Sequence, residues 1–153
     1  MRWIILAFMA AIGLFWLYVR LAPTDVAAWH VRPEAKDPGD YPGKGRFSTV
    51  RAFPTAPEEV LRAVEQAALQ TPRTRLFAGS VEEGMMTYET RTRFGFPDYT
   101  TVTVIPAGEA PGSHPAPLLM IYGRLRFGVE DLGVNQARIK GWLAQLGPLV
   151  TAP

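Results

Sequence analysis

The sequence contains no cysteine and only two histidines, and these two shortages exclude several kinds of chemistry. Without cysteine the chain cannot form a disulfide, carry the lipid of a lipoprotein or use a thiol nucleophile. His30 lies in a proline-rich stretch near the N-terminus and His114 in a second proline-rich loop, so neither a histidine metal site nor a Ser-His-Asp triad has a framework. We therefore expect no metal and no cofactor.

Catalytic motifs and excess charge are also missing. The chain has no glycine-rich nucleotide loop and no H-E-x-x-H element. The adjacent carboxylates Glu58-Glu59 and Glu82-Glu83 fit a helix start and a turn better than acid–base catalysis. The formal net charge is +2, and residues 21–153 carry 14 basic and 14 acidic side chains, so no nucleic-acid partner is expected. These absences favour a protein that is not an enzyme.

One long apolar run is present, at the N-terminus. Trp3–Val19 contains 17 consecutive uncharged residues, which as a helix measure about 25 Å, slightly less than the hydrocarbon core of a bilayer. Aromatic residues near both ends and the flanking Arg2 and Arg20 are typical of a membrane-spanning helix. We predict a transmembrane anchor over residues 1–21 that binds membrane lipid through residues 3–21. A cleaved signal peptide, with small residues near Val26, is the alternative.

The charges beside this run favour one orientation. Arg2 and the α-amino group lie on one side, and Arg20, Arg32 and Lys36 lie on the other and weaken the asymmetry. We predict that the N-terminus is inside the cell and the C-terminal domain outside.

Residues 22–45 contain four prolines and three glycines, a density that disfavours helix and sheet. We predict a flexible tether. Trp29 and His30 are unusual in a linker, and two interpretations remain open: the tryptophan docks on the domain, or it lies among the lipid head groups.

Residues 46–153 alternate between strand and helix patterns and form the predicted domain. Strands are expected at Phe47–Phe53, Arg75–Ser80, Met85–Arg93, Tyr99–Ile105 and Leu118–Phe127, with helices ending near Gln70 and Leu146. The short spacings between strands favour antiparallel pairing. We predict an α+β fold with one antiparallel sheet of about five strands and two helices on one face, in the helix-grip-like order β-α-β-β-β-β-α.

Two strands place basic side chains on the face without helices. If the strands over residues 85–93 and 118–127 are neighbours, four arginines share that open face and form a candidate anion site: Arg91, Arg93, Arg124 and Arg126.

A second polar constellation follows the last strand. Gly128 and Gly133 shape a turn, and Asp131 can cap the helix that follows. Either Arg126 pairs with Asp131 inside a locked turn, or it joins two helical residues to hold an anion, namely Asn135 and Arg138.

This constellation resembles a family signature. Arg126, Gly128, Asp131, Gly133, Asn135 and Arg138 match, in order and spacing, the pattern R-x-G-x-x-D-[LF]-G-x-N-x-x-R of the DUF1499 family, found in bacteria and plastids. The segment 94–98, Phe-Gly-Phe-Pro-Asp, resembles its F-G-F-x-D element and adds Asp98 to the turn residues. The resemblance covers roughly residues 46–146. It implies an envelope or lumenal domain, here a single-pass protein of a bacterial inner membrane with a periplasmic C-terminal domain, and it implies no particular reaction.

Three hypotheses about function follow. The first is a non-enzymatic envelope domain that binds an anionic ligand, a lipid head group or a partner protein through its arginine-rich face. The second is an accessory subunit whose anchor docks on an integral-membrane protein, since the small residues of the anchor allow close helix approach. The third, which we favour least, is a hydrolase-type enzyme that uses Asp98 and Asp131.

Overall fold

Six strands form one antiparallel sheet in the computed structural model, which describes residues 1–151. Their order across the sheet is β1-β2-β6-β5-β4-β3. The strands are β1 (Gly39–Gly43), β2 (Arg46–Ala52), β3 (Thr74–Ser80), β4 (Met85–Arg91), β5 (Pro97–Ile105) and β6 (Leu118–Leu125). The α+β class and the antiparallel sheet are confirmed.

The predicted count of about five strands misses β1, which lies inside the segment predicted as a tether. β1 pairs with β2 through a two-residue turn, with Gly43 opposite Arg46. Gly45 in this turn has a φ of +61°, a conformation that glycine adopts without a steric penalty. Proline and glycine are tolerated in β1 because it is an edge strand, which needs hydrogen bonds on one side only.

Two helices cover one face of the sheet, as predicted. The helices of the chain are α1 (Arg2–Leu21), α2 (Val26–Trp29), α3 (Pro57–Gln70) and α4 (Val134–Leu146), and a 3₁₀ turn, Gly147–Leu149, follows the last. α3 and α4 pack on the sheet and on each other. The apolar stripe of α3 is fully buried: Val60, Leu61, Val64, Ala67 and Ala68.

Trp142 of α4 anchors this core. Its side chain is 1% exposed, and its ring meets Tyr88 of β4 edge to face at 5.7 Å between centroids. The indole N–H donates to the Thr71 hydroxyl over 2.8 Å, so the polar atom of the buried ring has a partner.

Residues 22–37, which we call the covering segment, lie across the opposite face of the sheet. The Trp29 ring lies 4.6 Å from the Tyr99 ring of β5, and Arg32 donates to the Thr103 hydroxyl over 2.7 Å. Polar side chains of this sheet face are consequently buried: Thr87, Tyr99, Thr101 and Thr103. The tryptophan docks on the domain, which was one of the two interpretations left open by the sequence.

Helix α1 is long and apolar enough to cross a membrane. Its last turns contact the domain at two loops. The Trp16 indole donates to the Phe94 carbonyl oxygen over 2.8 Å, and the Tyr18 ring lies 6.3 Å from the Phe127 ring. The end of the helix therefore marks one end of the domain.

Candidate functional site

Five arginines gather in one pocket at the end of the sheet where α1 finishes. The pocket has a volume of about 490 Å³, within the range of roughly 300–1,000 Å³ typical of ligand sites. We call it the basic pocket. Its arginines come from α1, from β3 and the residue before it, and from β4 and the loop that follows: Arg20, Arg73, Arg75, Arg91 and Arg93.

Glu89 of β4 organises the floor of the basic pocket. It is the only carboxylate among the described residues that line the pocket, and it is 1% exposed. Arg75 and Arg91 both donate to it. Arg91 also donates to the carbonyl oxygens of Arg20 and Gly95, each over 3.2 Å, so its guanidinium group is fixed between the strand and the end of α1.

Arg73 and Arg93 stand at the rim of the basic pocket. Both are exposed, and neither pairs with a carboxylate of residues 1–151. Glu89 pairs with two of the five guanidinium groups, so three of them lack a carboxylate partner in the pocket and the net charge of its lining is +4. Guanidinium groups bind phosphate and carboxylate in a two-pronged geometry, so the pocket is suited to an anion.

The four arginines predicted to share one open face lie in two separate places. β5 lies between β4 and β6, so the two strands that carry them are not neighbours. Arg91 and Arg93 line the basic pocket, while Arg124 and Arg126 lie against the covering segment. The face is not open, because the chain itself covers it.

Arg124 and Arg126 hold the covering segment through its backbone. Arg124 donates to the Trp29 carbonyl oxygen over 2.8 Å, and its guanidinium carbon lies 4.6 Å from the centroid of the Trp29 ring. Arg126 donates to the carbonyl oxygens of Ala22 and Pro23 over 3.1 and 2.7 Å. Ala22 and Pro23 lie in irregular backbone and Trp29 is the last residue of α2, so these carbonyl groups have no partner within the segment and the arginines supply the donors.

Arg138 and Asn135 lie on the helix-covered side of the sheet. Arg138 is 3.7 Å from Asp98 of β5, and the two side chains are 7% and 3% exposed. Arg138 also donates to the side-chain oxygen of Asn135 and, over 3.3 Å, to the Thr100 hydroxyl. Within residues 1–151, Nδ2 of Asn135 and Nε of Arg138 are buried without a hydrogen-bond partner.

The structure does not bring Arg126 together with Asn135 and Arg138. Asp98 and Tyr99 are successive residues of β5, so their side chains point to opposite faces of the sheet. Asp98 faces Arg138, and the Tyr99 hydroxyl lies 2.7 Å from Thr24, a residue that also accepts a hydrogen bond from Arg126. The sheet therefore separates the two halves of the predicted anion cluster.

Burial dominates the electrostatics of the Asp98–Arg138 pair. It raises the pKa of Asp98 to about 6, although the neighbouring Arg138 opposes the shift. Burial likewise lowers the pKa of Arg138, against the attraction of Asp98. For both groups, the free energy lost when the charge leaves water exceeds the free energy gained by the attraction between the two charges, which is the usual balance in a buried ion pair.

Asp131 caps α4 and does not pair with Arg126, so that predicted pair is wrong. Its carboxylate accepts backbone N–H groups of Gly133 over 3.2 Å and Asn135 over 2.8 Å. Burial acts to raise the pKa of Asp131, but these hydrogen bonds outweigh it and hold the pKa below the usual value. Gly128 and Gly133 have φ angles of +105° and +82°, so both positions of the turn require glycine.

Asp98 and Asp131 line one small cavity of about 210 Å³. This volume is below the usual size of a ligand site, and both carboxylates are engaged by the chain, one by Arg138 and the other by the first turn of α4. Within residues 1–151, no three histidine, aspartate or glutamate side chains are grouped so that they could hold a metal ion.

Three arginines of the basic pocket were missed by the sequence reasoning. Arg75 carried a signal, because it pairs directly with Glu89 in the register of the β3–β4 hairpin. Arg20 was interpreted only as the flank of the anchor, and Arg73 lies outside the regular elements. The local sequence pattern around each of these three arginines does not show that they meet in one pocket.

Comparison with known proteins agrees with the signature in the last strand and turn. The sequence model of one family, described as "Protein of unknown function (DUF1499)", matches residues 26–146. That range begins at α2, inside the covering segment, and ends at the last residue of α4. No curated protein matches the chain significantly. The family match extends over most of the sequence, and the chain belongs to the DUF1499 family.

Proposed function

We propose that this protein is a single-pass membrane protein whose domain binds the phosphate of an anionic lipid head group in the basic pocket. In this proposal α1 spans a bacterial inner membrane and the domain lies in the periplasm. The observation that carries the proposal is the pocket itself, in which five arginines face one carboxylate.

The position of the pocket favours a lipid over a freely diffusing anion. Arg20 belongs to the last turn of α1, so the pocket opens where the membrane-spanning helix would leave the bilayer. Lipid phosphates are concentrated at that level, and arginines near the end of such a helix reach toward them. The ligand therefore reaches the site by lateral diffusion in the membrane.

The arginines take two roles in this proposal. Arg91 is 33% exposed and held by Glu89, so it forms a preorganised floor. Arg75 is also held by Glu89 but is 65% exposed, and it lies at the rim with Arg73 and Arg93. The rim arginines close on the phosphate when it binds. The proposal assigns the anion to Arg91 and Arg93 among the sequence-predicted residues, and it gives Arg124 and Arg126 the task of holding the covering segment.

A hydrolytic reaction at Asp98 and Asp131 is supported less well. The raised pKa of Asp98 and the lowered pKa of Asp131 resemble the arrangement of a catalytic acid and base. Their cavity is small, however, and each carboxylate already has an internal partner.

The test is lipid binding by the full-length protein in detergent micelles, measured by native mass spectrometry. We expect tighter binding of phosphatidylglycerol than of phosphatidylcholine. The double variant Arg73→Gln/Arg93→Gln should weaken phosphatidylglycerol binding about tenfold, equivalent to about 1.4 kcal/mol. A matched control, Lys44→Gln/Arg62→Gln, removes the same charge from exposed residues outside the pocket and should leave binding unchanged.

Two outcomes count against the proposal. Equal binding by both double variants would mean that overall charge, and not the pocket, attracts the lipid. If millimolar inorganic phosphate displaced phosphatidylglycerol, and the protein bound phosphate and phosphatidylglycerol with equal affinity, the ligand would be a soluble anion.

A further inference from the structure

Three large apolar side chains of the domain are mostly exposed to solvent. Phe94, Val129 and Leu132 are 71%, 79% and 89% exposed, the highest values for large apolar residues in residues 22–151. Phe94 lies in the loop between β4 and β5, and the other two lie between β6 and α4. Side chains of this kind are normally buried, so their grouping in two loops marks an interaction surface.

Leu132 is also held in a strained conformation. Its φ is +51°, a region that residues other than glycine adopt at a cost. The conformation has a local cause, because Leu132 lies in the turn that Asp131 closes: the Asp131 carboxylate and carbonyl oxygen accept the N–H groups of Gly133 and Val134. This turn presents the Leu132 side chain to solvent, where it is 89% exposed.

Both loops lie beside the last turns of α1. The loop of Phe94 accepts the hydrogen bond from Trp16, and Phe127, at the start of the second loop, contacts Tyr18. The exposed apolar residues therefore belong to the end of the domain from which the membrane-spanning helix emerges.

The position of α1 sets the depth of these loops. Its uncharged part, Trp3–Val19, measures about 25 Å and spans most of the hydrocarbon core, so Arg20 lies at the level of the head groups. Phe94 accepts the hydrogen bond from Trp16, and the next residue, Gly95, lies against the Arg20 side chain. Trp16 and Arg20 are four positions apart, or about 6 Å along the axis, so the backbone of this loop lies between the head groups and the upper end of the hydrocarbon core.

We propose that the side chains of Phe94, Val129 and Leu132 insert into the bilayer that holds α1. Their loops lie at the level of the head groups, where interfacial segments bury apolar side chains in the boundary with the acyl chains. The domain is therefore seated in the membrane and does not hang from it on a flexible tether. This inference shares the spanning helix with the proposed function but does not depend on lipid binding in the basic pocket.

Spin labelling tests the insertion directly, because the chain has no cysteine to remove. Single variants Phe94→Cys, Val129→Cys and Leu132→Cys carry the label in the full-length protein, reconstituted in phosphatidylglycerol/phosphatidylcholine liposomes. Glu83→Cys is the control, since Glu83 is exposed in the turn between β3 and β4, at the opposite end of these strands from the loop of Phe94. Ile12→Cys within α1 reports the hydrocarbon core. Power saturation with oxygen and with a water-soluble nickel chelate measures the depth of each label.

We expect the three loop labels to be relaxed more by oxygen than by the nickel chelate, with depths between those at positions 12 and 83. Loop labels with the same aqueous accessibility as position 83, together with a label at position 12 in the core, would overturn the insertion and leave the proposed lipid binding untouched. A label at position 12 that is accessible to water would remove the spanning helix on which both proposals rest. Loss of lipid binding in Arg73→Gln/Arg93→Gln without a change in label depth is the result expected if both proposals hold, and unchanged lipid binding would overturn the proposed function alone.

Discussion

The two faces of the sheet are covered in different ways. On one face, α3 and α4 bury an apolar core around Trp142. On the other, the covering segment lies over threonine, tyrosine and arginine side chains, and its Ala35 packs on a smaller apolar cluster around Val50 and Met120. A helix satisfies its own backbone hydrogen bonds and can cover an apolar surface, whereas an irregular segment must find donors and acceptors on the surface that it covers.

The polar residues of the second face have their partners in the chain itself. Here Arg124 and Arg126 donate to backbone carbonyl groups of the covering segment, and Thr87 lies 2.9 Å from the imidazole of His30. The polar pattern on this face therefore corresponds to a piece of the chain itself.

The largest expected effect is on the helix-covered face. Trp142→Ala removes a fully buried ring and should lower the free energy of unfolding by about 3–5 kcal/mol. Chemical denaturation of the full-length protein in detergent, followed by circular dichroism, measures it. Trp142→Phe keeps most of the ring and loses the hydrogen bond to Thr71, so it should cost about 1 kcal/mol. Similar losses for the two variants would contradict the importance of ring packing.

The next effect is a pH dependence of stability that belongs to the helix-covered face, because Asp98 is buried there. Its pKa is raised to about 6 in the folded protein from an unfolded value of about 3.9. The folded state therefore holds the proton more tightly, and stability from this group falls as pH rises from about 4 to about 6. The loss is about 3 kcal/mol and is constant above that range.

Asp98→Asn removes this dependence while the other carboxylates remain. The unfolding free energy of the native protein, minus that of the variant, should fall between about pH 4 and pH 6 and then level off. Denaturation at four pH values measures the difference. A difference that rises with pH would mean that Arg138 lowers the pKa of Asp98, and it would contradict the conclusion that burial outweighs the ion pair.

The smallest effect is on the face under the covering segment. Trp29→Ala removes the contacts with Tyr99 and Arg124 and should cost about 1–2 kcal/mol, because the ring is only partly buried. Hydrogen exchange should accelerate in residues 22–37 and not in α3 or α4. Trp29→Phe retains a ring and should lose less. Equal acceleration in the helices would show that both faces unfold as one unit.

Regular elements were predictable because their signals are local. The stripe of α3 repeats every three to four residues, and the alternation in β4, β5 and β6 identifies three neighbouring strands of the sheet. β1 was not predicted, since Gly39, Pro42 and Gly43 suppress the strand pattern and the pairing with β2 depends on a turn. Trp29 gave the one sequence indication that the segment before β1 docks on the domain.

The candidate site was predictable only in part, for a geometric reason. Arg91 and Arg93 were identified from one strand, whereas Arg20 and Arg73 reach the same pocket from α1 and from the residue before β3. The strand order keeps Arg124 and Arg126 away from the basic pocket, because β5 separates β4 from β6. No short-range sequence pattern encodes that order.

The edges of the sheet bear on the proposed anchoring by α1. If α1 spans a membrane, copies in one bilayer share an orientation and a high local concentration, which favours pairing between exposed strand edges. β1 is only five residues long and contains Pro42, and β3 has an irregular register between Leu76 and Ala78. Short length, proline and bulges all hinder the addition of a further strand. Both edges are thus poor templates, which protects the crowded protein against edge-to-edge aggregation.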